Sequence, residues 1–191
     1  ITMKNLSTLS KSIIMAVAIV GAGTATVVVS QAATTNSQAS ESVTALQSKI
    51  SLQQAIAIGN KTVKGDLVSI EFDQNDYSTG GEYEIKTIAS NTEYDIKIDA
   101  DTGKVLSAKQ ERLDADDTAE YNAMKRAKVS LNQAMQTATQ SVTGKVIAAE
   151  FDIDNGKSIY EIKVAKGNQL HKVTIDSTTG KVISSRLDND D

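Results

Sequence analysis

The 191-residue chain contains no cysteine, no proline and no tryptophan. The lack of cysteine excludes disulfide bonds and thiolate chemistry, and the lack of proline excludes a proline-rich linker. Aromatic residues make up only 4% of the chain, so any hydrophobic core must be built from aliphatic side chains. The formal net charge of −4 argues against a general nucleic-acid binder and against a protein that binds anionic membranes through a basic face.

The N-terminal stretch 1–32 has the pattern of an export signal. Lys4 and Lys11 precede an uncharged, largely apolar run over 12–29, and Ser30-Gln31-Ala32 places small residues at both key positions of a cleavage site. This pattern predicts a secretory signal peptide. A membrane anchor is the alternative, because the run lies near the lower limit of roughly 17–25 residues for a spanning helix. Both interpretations place the remaining chain outside the cytoplasm, secreted or at a bacterial cell surface.

The next stretch, 33–48, is rich in serine, threonine, glutamine and alanine. Such a composition offers little apolar surface to bury, so it predicts a flexible linker. Only Val43 to Leu46 could begin a short helix within it.

The rest of the chain contains an internal repeat. Ser51–Asp73 aligns with Ser130–Asp152 at a constant offset of 79, and nine of 23 positions are identical. The segment IDADTGKV at 98–105 returns as IDSTTGKV at 175–182. With two copies the pattern indicates a tandem duplication rather than a solenoid. The first repeat spans 49–114 and the second spans 129–191.

Each repeat is predicted to begin with a capped helix. Ser51 with Gln54, and Ser130 with Gln133, have the spacing of a capping box, in which each side chain satisfies a free backbone N–H group. Apolar residues then recur at helical spacing along one face. Both helices are expected to stop near a glycine, Gly65 in the first repeat and Gly144 in the second.

Alternating apolar and charged residues follow each helix, as in Glu93–Asp99, and short turns separate the alternating segments. This pattern predicts antiparallel strands with one face on a core and the other in water. The expected fold is therefore α+β: two tandem copies of one helix packed on an antiparallel β-meander of about four strands. Residues 115–128, with acids first and bases last, predict a helical linker from about Asp117 to Ala127, too short to keep the repeats apart.

The capped helix, the strand pairs and the D-x-x-T-G-K-V segment together resemble the PepSY domain family. The segment stands at Asp99–Val105 and at Asp176–Val182, and the resemblance covers roughly 49–114 and 129–188. Such domains occur in propeptides of thermolysin-type metalloproteases and in small exported or membrane-bound bacterial proteins. The resemblance implies inhibition or regulation of a peptidase, here an extracellular or envelope peptidase on a separate polypeptide. It implies no catalytic residues and no cofactor.

The residues that could carry chemistry have simpler structural interpretations. Asp99, Asp101 and Gly103 suggest the start of a calcium loop, but Gln110 stands where such a loop needs a bidentate glutamate. Turn capping explains the aspartates without a metal. His171 is the only histidine and takes an inward-facing strand position, so it is expected to be packed or at the rim of the core rather than to act as a base or ligand.

Clustered carboxylates suggest a docking surface less specifically. Glu71 with Asp73, and Glu150 with Asp152, could form an acidic docking face, but exposed strand charge also explains them and is the favoured interpretation. The C-terminal residues 188–191 are expected to be a solvated acidic tail.

The sequence therefore predicts an exported, non-catalytic binding module that regulates a peptidase. The alternative is a structural or sensory envelope module without inhibitory activity. An enzyme is the third hypothesis, but the chain has no G-x-S-x-G nucleophile elbow and no motif that would bring titratable groups together. Contact with a membrane is expected only through the N-terminal segment, if that segment is not cleaved.

Overall fold

A computed structural model describes residues 40–74 and 80–188. The predicted signal peptide or anchor over 1–32 and the first part of the predicted linker lie outside these residues. No helix within them has both the length and the apolar character needed to cross a membrane.

The strands of both repeats form one antiparallel sheet of eight strands in the order β4-β3-β2-β1-β5-β6-β7-β8. Each repeat contributes a four-stranded meander, which confirms the predicted α+β fold. The strands are β1 (Asp66–Asp73), β2 (Glu82–Ala89), β3 (Thr92–Asp99), β4 (Val105–Arg112), β5 (Lys145–Asp154), β6 (Lys157–Lys166), β7 (Gln169–Asp176) and β8 (Val182–Leu187).

The helices in the described residues are α1 (40–47), α2 (Leu52–Thr62), α3 (Ala115–Met124) and α4 (Leu131–Ser141). The capping boxes of α2 and α4 form as predicted: Ser51 N–H donates to Gln54 Oε1 at 2.8 Å, and Ser130 N–H donates to Gln133 Oε1 at 2.9 Å. The buried face of each helix has a small residue near its middle. These residues, Gly59 and Ala138, allow the helices to lie close to the sheet. A Cβ on Gly59 would lie 3.0 Å from Ile85.

The two glycines near the helix ends do a different job from the one predicted. Helices α2 and α4 end at Thr62 and Ser141, and neither glycine has the left-handed backbone that ends a helix. Instead, a Cβ on Gly65 would lie 2.5 Å from the carbonyl oxygen of Ile88, and one on Gly144 would lie 2.4 Å from that of Ala165. Glycine is needed here because the chain passes directly against the neighbouring strand.

The two repeats meet through their first strands, β1 and β5, which pair antiparallel. Ile70 lies opposite Ala149, and the offset of 79 between the repeats maps these two residues onto each other. The pairing is therefore self-complementary, like the isologous contact of a symmetric dimer. Both side chains are buried in the common core, at 1% and 0% exposed. The sequence left this packing open beyond the expectation of contact.

Helix α3 precedes the second repeat and contacts its strand β5, but its side chains also bond to and pack on the first repeat. The Tyr121 hydroxyl donates to the Asp66 carboxylate, and Lys125 Nζ lies 2.8 Å from the same oxygen. Tyr121 and Met124 also pack against a small apolar cluster of the first repeat, made of Val68, Ile88 and Leu113.

Helix α1 precedes the first repeat but bonds to the second. The Ser42 hydroxyl is buried and donates to the carbonyl oxygens of Gly167 at 3.0 Å and Gln169 at 3.2 Å. Lys145 Nζ donates to the Ala45 carbonyl at 2.7 Å. Lys145 and Asp66 are equivalent positions of the repeat, so the helices α1 and α3 are exchanged reciprocally between the repeats.

Both segments that the sequence predicts to be linkers contain one of these exchanged helices. Within 33–48, the part over 40–47 is helical and docked, because Ser42 and Ala45 are small enough to lie directly against the second repeat. The helix expected at about Asp117–Ala127 spans Ala115–Met124, with Asp114 as its N-cap.

Candidate interaction surfaces

The D-x-x-T-G-K-V turn of the second repeat is organised by one carboxylate. Asp176 Oδ1 accepts hydrogen bonds from Thr178 N at 3.0 Å, Thr179 N at 2.7 Å and Thr179 Oγ1 at 2.9 Å. Gly180 then takes a left-handed conformation with φ of 70°, and a Cβ there would lie 3.2 Å from Val129. The turn thus covers the start of helix α4, and its residues are used for local structure.

The first repeat repeats this arrangement. Asp99 Oδ1 accepts from Asp101 N at 3.1 Å, Thr102 N at 2.7 Å and Thr102 Oγ1 at 2.8 Å. Gly103 has φ of 71° and lies against Ile50. The carboxylate that suggested a calcium loop is a turn cap. In residues 40–74 and 80–188 no three acidic or histidine side chains are grouped to hold a metal ion.

The same hydrogen bonds predict a pKa change on substitution. Bonds from Thr179, first through its N–H and then through its hydroxyl, hold the pKa of Asp176 below its ordinary value of 3.8. Because the folded pKa is lowered, the turn is stabilising above pH 3.8, and this stabilisation is lost as the pH falls through the lowered pKa. We expect Thr179→Val to raise the pKa of Asp176 towards 3.8, measured by NMR titration.

Thr178→Val is the matched control, because only the main chain of Thr178 donates to the carboxylate. In this variant the pKa of Asp176 should equal the wild-type value. An equal rise in both variants would show that the hydroxyl of Thr179 is not responsible.

The sheet face opposite α2 and α4 carries most of the strand charges, and we call it the charged face. It includes Glu71, Glu82, Glu84, Lys86, Glu93, Asp95, Lys97, Glu150, Asp152, Glu161, Lys163 and Lys172. The sequence predicted that this face lies in water, but Lys86 is only 1% exposed and Glu82 only 7%. The exchanged helix α3 explains part of this burial, because it packs on Ile88, which shares the face with Lys86.

The two repeats are joined across this face by a salt bridge. Lys163 on β6 lies opposite Ala148 on β5 and reaches over that small residue to Glu71 on β1, with Nζ and Oε1 3.1 Å apart. Burial lowers the pKa of Lys163, but the charges of Glu71 and of Glu41 on α1 outweigh it, and the net pKa is raised. Glu71 is therefore committed to an internal ion pair.

Other carboxyl groups of the charged face are also held in low-dielectric surroundings. Burial raises the pKa of Glu84, with the charge of Asp95 adding to it. Burial likewise raises the pKa of Asp152, with a further contribution from Glu161. The pairs Glu71/Asp73 and Glu150/Asp152 are therefore not a uniformly exposed acidic face, since three of the four residues are partly buried.

His171 and Asp188 are both less exposed than free surface groups. His171 lies opposite Val164 and Leu187, and its Nε2 is buried without a hydrogen-bond partner among the described residues. Asp188 is 9% exposed, and its N–H donates to Leu170 O at 2.9 Å. The predicted solvated tail is wrong for Asp188, because the strand pairing continues to that residue; 189–191 lie outside the description.

A cavity of about 400 Å³ lies where α3 leads into α4, beside Lys125, Ser130 and Tyr160. The Ser130 and Gln133 groups in its wall already bond to each other in the capping box, and the Tyr160 hydroxyl donates to Val129 O at 2.6 Å. The groups available there serve the fold, so the outer surface of the sheet is the better candidate for binding.

The sheet has two outer edges, β4 and β8. Each presents unpaired backbone groups to solvent along one side, which is the usual site at which a sheet accepts another strand.

The architecture defines a tandem-repeat α+β protein whose eight strands form one antiparallel sheet. The family model described as "Peptidase propeptide and YPEB domain" (PepSY) matches residues 49–109 and 128–186. The chain belongs to this family, as the sequence resemblance predicted.

One solved structure adds a structural likeness. It is the crystal structure of a "putative lipoprotein" from Clostridium difficile 630, with 25% sequence identity and a TM-score of 0.49. The alignment covers 78% of this chain and 99% of that chain. No curated protein matches the chain.

Proposed function

We propose that the protein is an exported, non-catalytic binding module that regulates an extracellular or cell-surface peptidase. The observation that carries the proposal is the pair of peptidase-propeptide domains over 49–109 and 128–186, which together take up most of the described chain. The proposed target is a peptidase on a separate polypeptide.

The arrangement of the side chains supports a protein that acts by binding another protein. The aspartates of the two D-x-x-T-G-K-V turns cap those turns, the charged face is largely paired with itself, and His171 faces the core. Backbone edges remain as surfaces that can bind a protein, because edge pairing supplies hydrogen bonds without requiring a pocket. The N-terminal pattern over 1–32 supports placement outside the cytoplasm.

The proposal is tested with the mature protein, from Ala33 onwards, and the peptidases secreted by its own organism. We expect at least one peptidase to be inhibited at about 1 μM or below, in assays that follow hydrolysis of a protein substrate. Binding is measured in parallel by calorimetry with the same peptidase after its active site has been blocked. The blocked peptidase separates binding to the enzyme from competition as a substrate.

Absence of both inhibition and binding at micromolar concentration would contradict the proposal. Affinity capture from the envelope fraction then distinguishes the alternative. If captured partners validated by direct binding include no peptidase, the protein is a structural or sensory envelope module.

A further inference from the structure

Exposed aliphatic side chains are concentrated on strand β8. In the described part of the chain six large hydrophobic side chains are more than a third exposed: Val43, Leu46, Leu106, Val182, Ile183 and Leu187. Three of them lie within the six residues of β8, with exposures of 40%, 54% and 42% for Val182, Ile183 and Leu187. Concentrated apolar exposure of this kind marks an interaction surface.

The equivalent outer strand of the first repeat is different. At the offset of 77 that relates the two D-x-x-T-G-K-V segments, Leu187 corresponds to Gln110, so β4 has a polar side chain where β8 has an exposed leucine. Strand β4 also carries three charged residues near its end, Lys109, Glu111 and Arg112, and charge on an edge discourages pairing with other chains. Strand β8 carries only Arg186. The duplication has therefore left one outer edge with more charge and one with more exposed aliphatic surface.

The exposed backbone of β8 can be paired only by another extended chain, since an edge strand directs its free N–H and C=O groups along the sheet plane. We propose that β8 is the docking edge of the protein and takes an extended segment of a partner protein as a ninth strand. The segment has aliphatic side chains that pack on Val182, Ile183 and Leu187, and a carboxylate that pairs with Arg186.

A second molecule of the same protein fits this edge less well. Two identical antiparallel strands must place residues of the same face opposite each other. A pair centred on Ser184 puts Arg186 opposite Val182, and one centred on Ser185 puts it opposite Ser184. A pair centred on Leu187 puts it opposite Asp188, whose side chain is only 9% exposed. Because β8 itself contains no acidic residue, self-pairing supplies no exposed carboxylate to Arg186. The charge favours a different, acidic partner segment.

The identification of this partner as a peptidase rests on the proposed function, whereas the docking edge itself does not. The edge is probed with synthetic peptides of about ten residues that alternate valine and threonine and contain one glutamate. Matched peptides carry lysine in place of glutamate. Binding to the isotope-labelled mature protein is followed by NMR, which shows both affinity and location.

We expect glutamate peptides to shift the amide signals of β8 and its neighbour β7, and lysine peptides to bind at least about tenfold more weakly. Leu187→Lys should weaken binding of the glutamate peptides by about tenfold or more, and Arg186→Ser should remove the preference for glutamate. Leu106→Lys on β4 is the matched control and should leave affinity unchanged. All three side chains are exposed, and a thermal unfolding curve for each variant confirms the fold.

Amide shifts centred on β4, an unchanged affinity in Leu187→Lys, or no binding by any of the peptides would overturn the proposal. Concentration-dependent dimerisation that Leu187→Lys abolishes would also overturn it, in favour of self-pairing. Peptidase inhibition that survives unchanged in Leu187→Lys would leave the proposed function standing and remove this docking edge. Peptide binding at β8 without any peptidase partner would leave this docking edge standing and remove the proposed function.

Discussion

Shortening Ile70 to alanine is expected to destabilise both repeats together, by about 2–5 kcal/mol, the usual range for such a truncation in a core. Ile70 is 1% exposed and lies opposite Ala149 at the centre of the β1–β5 pair. Because this pair makes one sheet out of two meanders, and because α1 and α3 each bond across to the other repeat, neither repeat has a complete core by itself.

Chemical denaturation gives the free energy of unfolding, and hydrogen exchange followed by mass spectrometry reports on each repeat separately. Exchange should accelerate in both repeats, and unfolding should remain a single transition. Ile183→Ala is the control, since Ile183 is 54% exposed and its truncation should change stability by less than about 0.5 kcal/mol. Faster exchange in residues 49–114 alone would show that the repeats unfold independently.

Replacing Gly144 with alanine is expected to cost about 3 kcal/mol, the upper end of the range for overpacking a filled interior. A Cβ at this position would lie 2.4 Å from the carbonyl oxygen of Ala165. The obstacle is backbone in the sheet rather than the end of a flexible side chain, so it can be relieved only by moving β6. Thermal and denaturant unfolding measure the loss.

Gly156→Ala separates this contact from backbone strain. Gly156 has φ of 77°, but a Cβ there would meet nothing within 4 Å, so only the left-handed conformation should cost free energy, about 1 kcal/mol. Equal losses in the two variants would show that the approach to Ala165 is not what requires glycine at position 144.

The features that local sequence determines could be predicted. The capping boxes at Ser51 and Ser130 depend on residues three positions apart, and the D-x-x-T-G-K-V turns on residues within one turn, so neither needs knowledge of the rest of the fold. Strand alternation likewise identified the core face correctly, with Ile96 and Ile98 fully buried. These elements are also the ones by which the sequence resembles the PepSY family.

Contacts between distant segments could not be predicted in the same way. The alternation of Ile70 and Phe72 fits an edge strand as well as a central one, so it did not show that β1 pairs with β5. The segment over 40–47 looked like a linker because Ser42 and Ala45 bury little area, yet small size is what lets them dock closely against the second repeat. Glycine at 65 and 144 was read as a helix stop because the strand that approaches it is distant in sequence.

The choice of β8 as the candidate docking edge also depended on the fold. Val182 and Ile183 look much like Val105 and Leu106 in the first repeat, and Leu187 takes the position of Gln110. A sequence comparison of the repeats shows the smaller number of charges on β8, but not that β4 and β8 are the outer strands of one sheet.

The reciprocal exchange of α1 and α3 has a consequence for what a proteolytic cut would do to this protein. A single backbone cut between Leu113 and Asp114 would yield two fragments, each of which keeps a helix inserted in the other. The two fragments would stay associated through these helices and through the β1–β5 pair, so a cut at this point would not separate them.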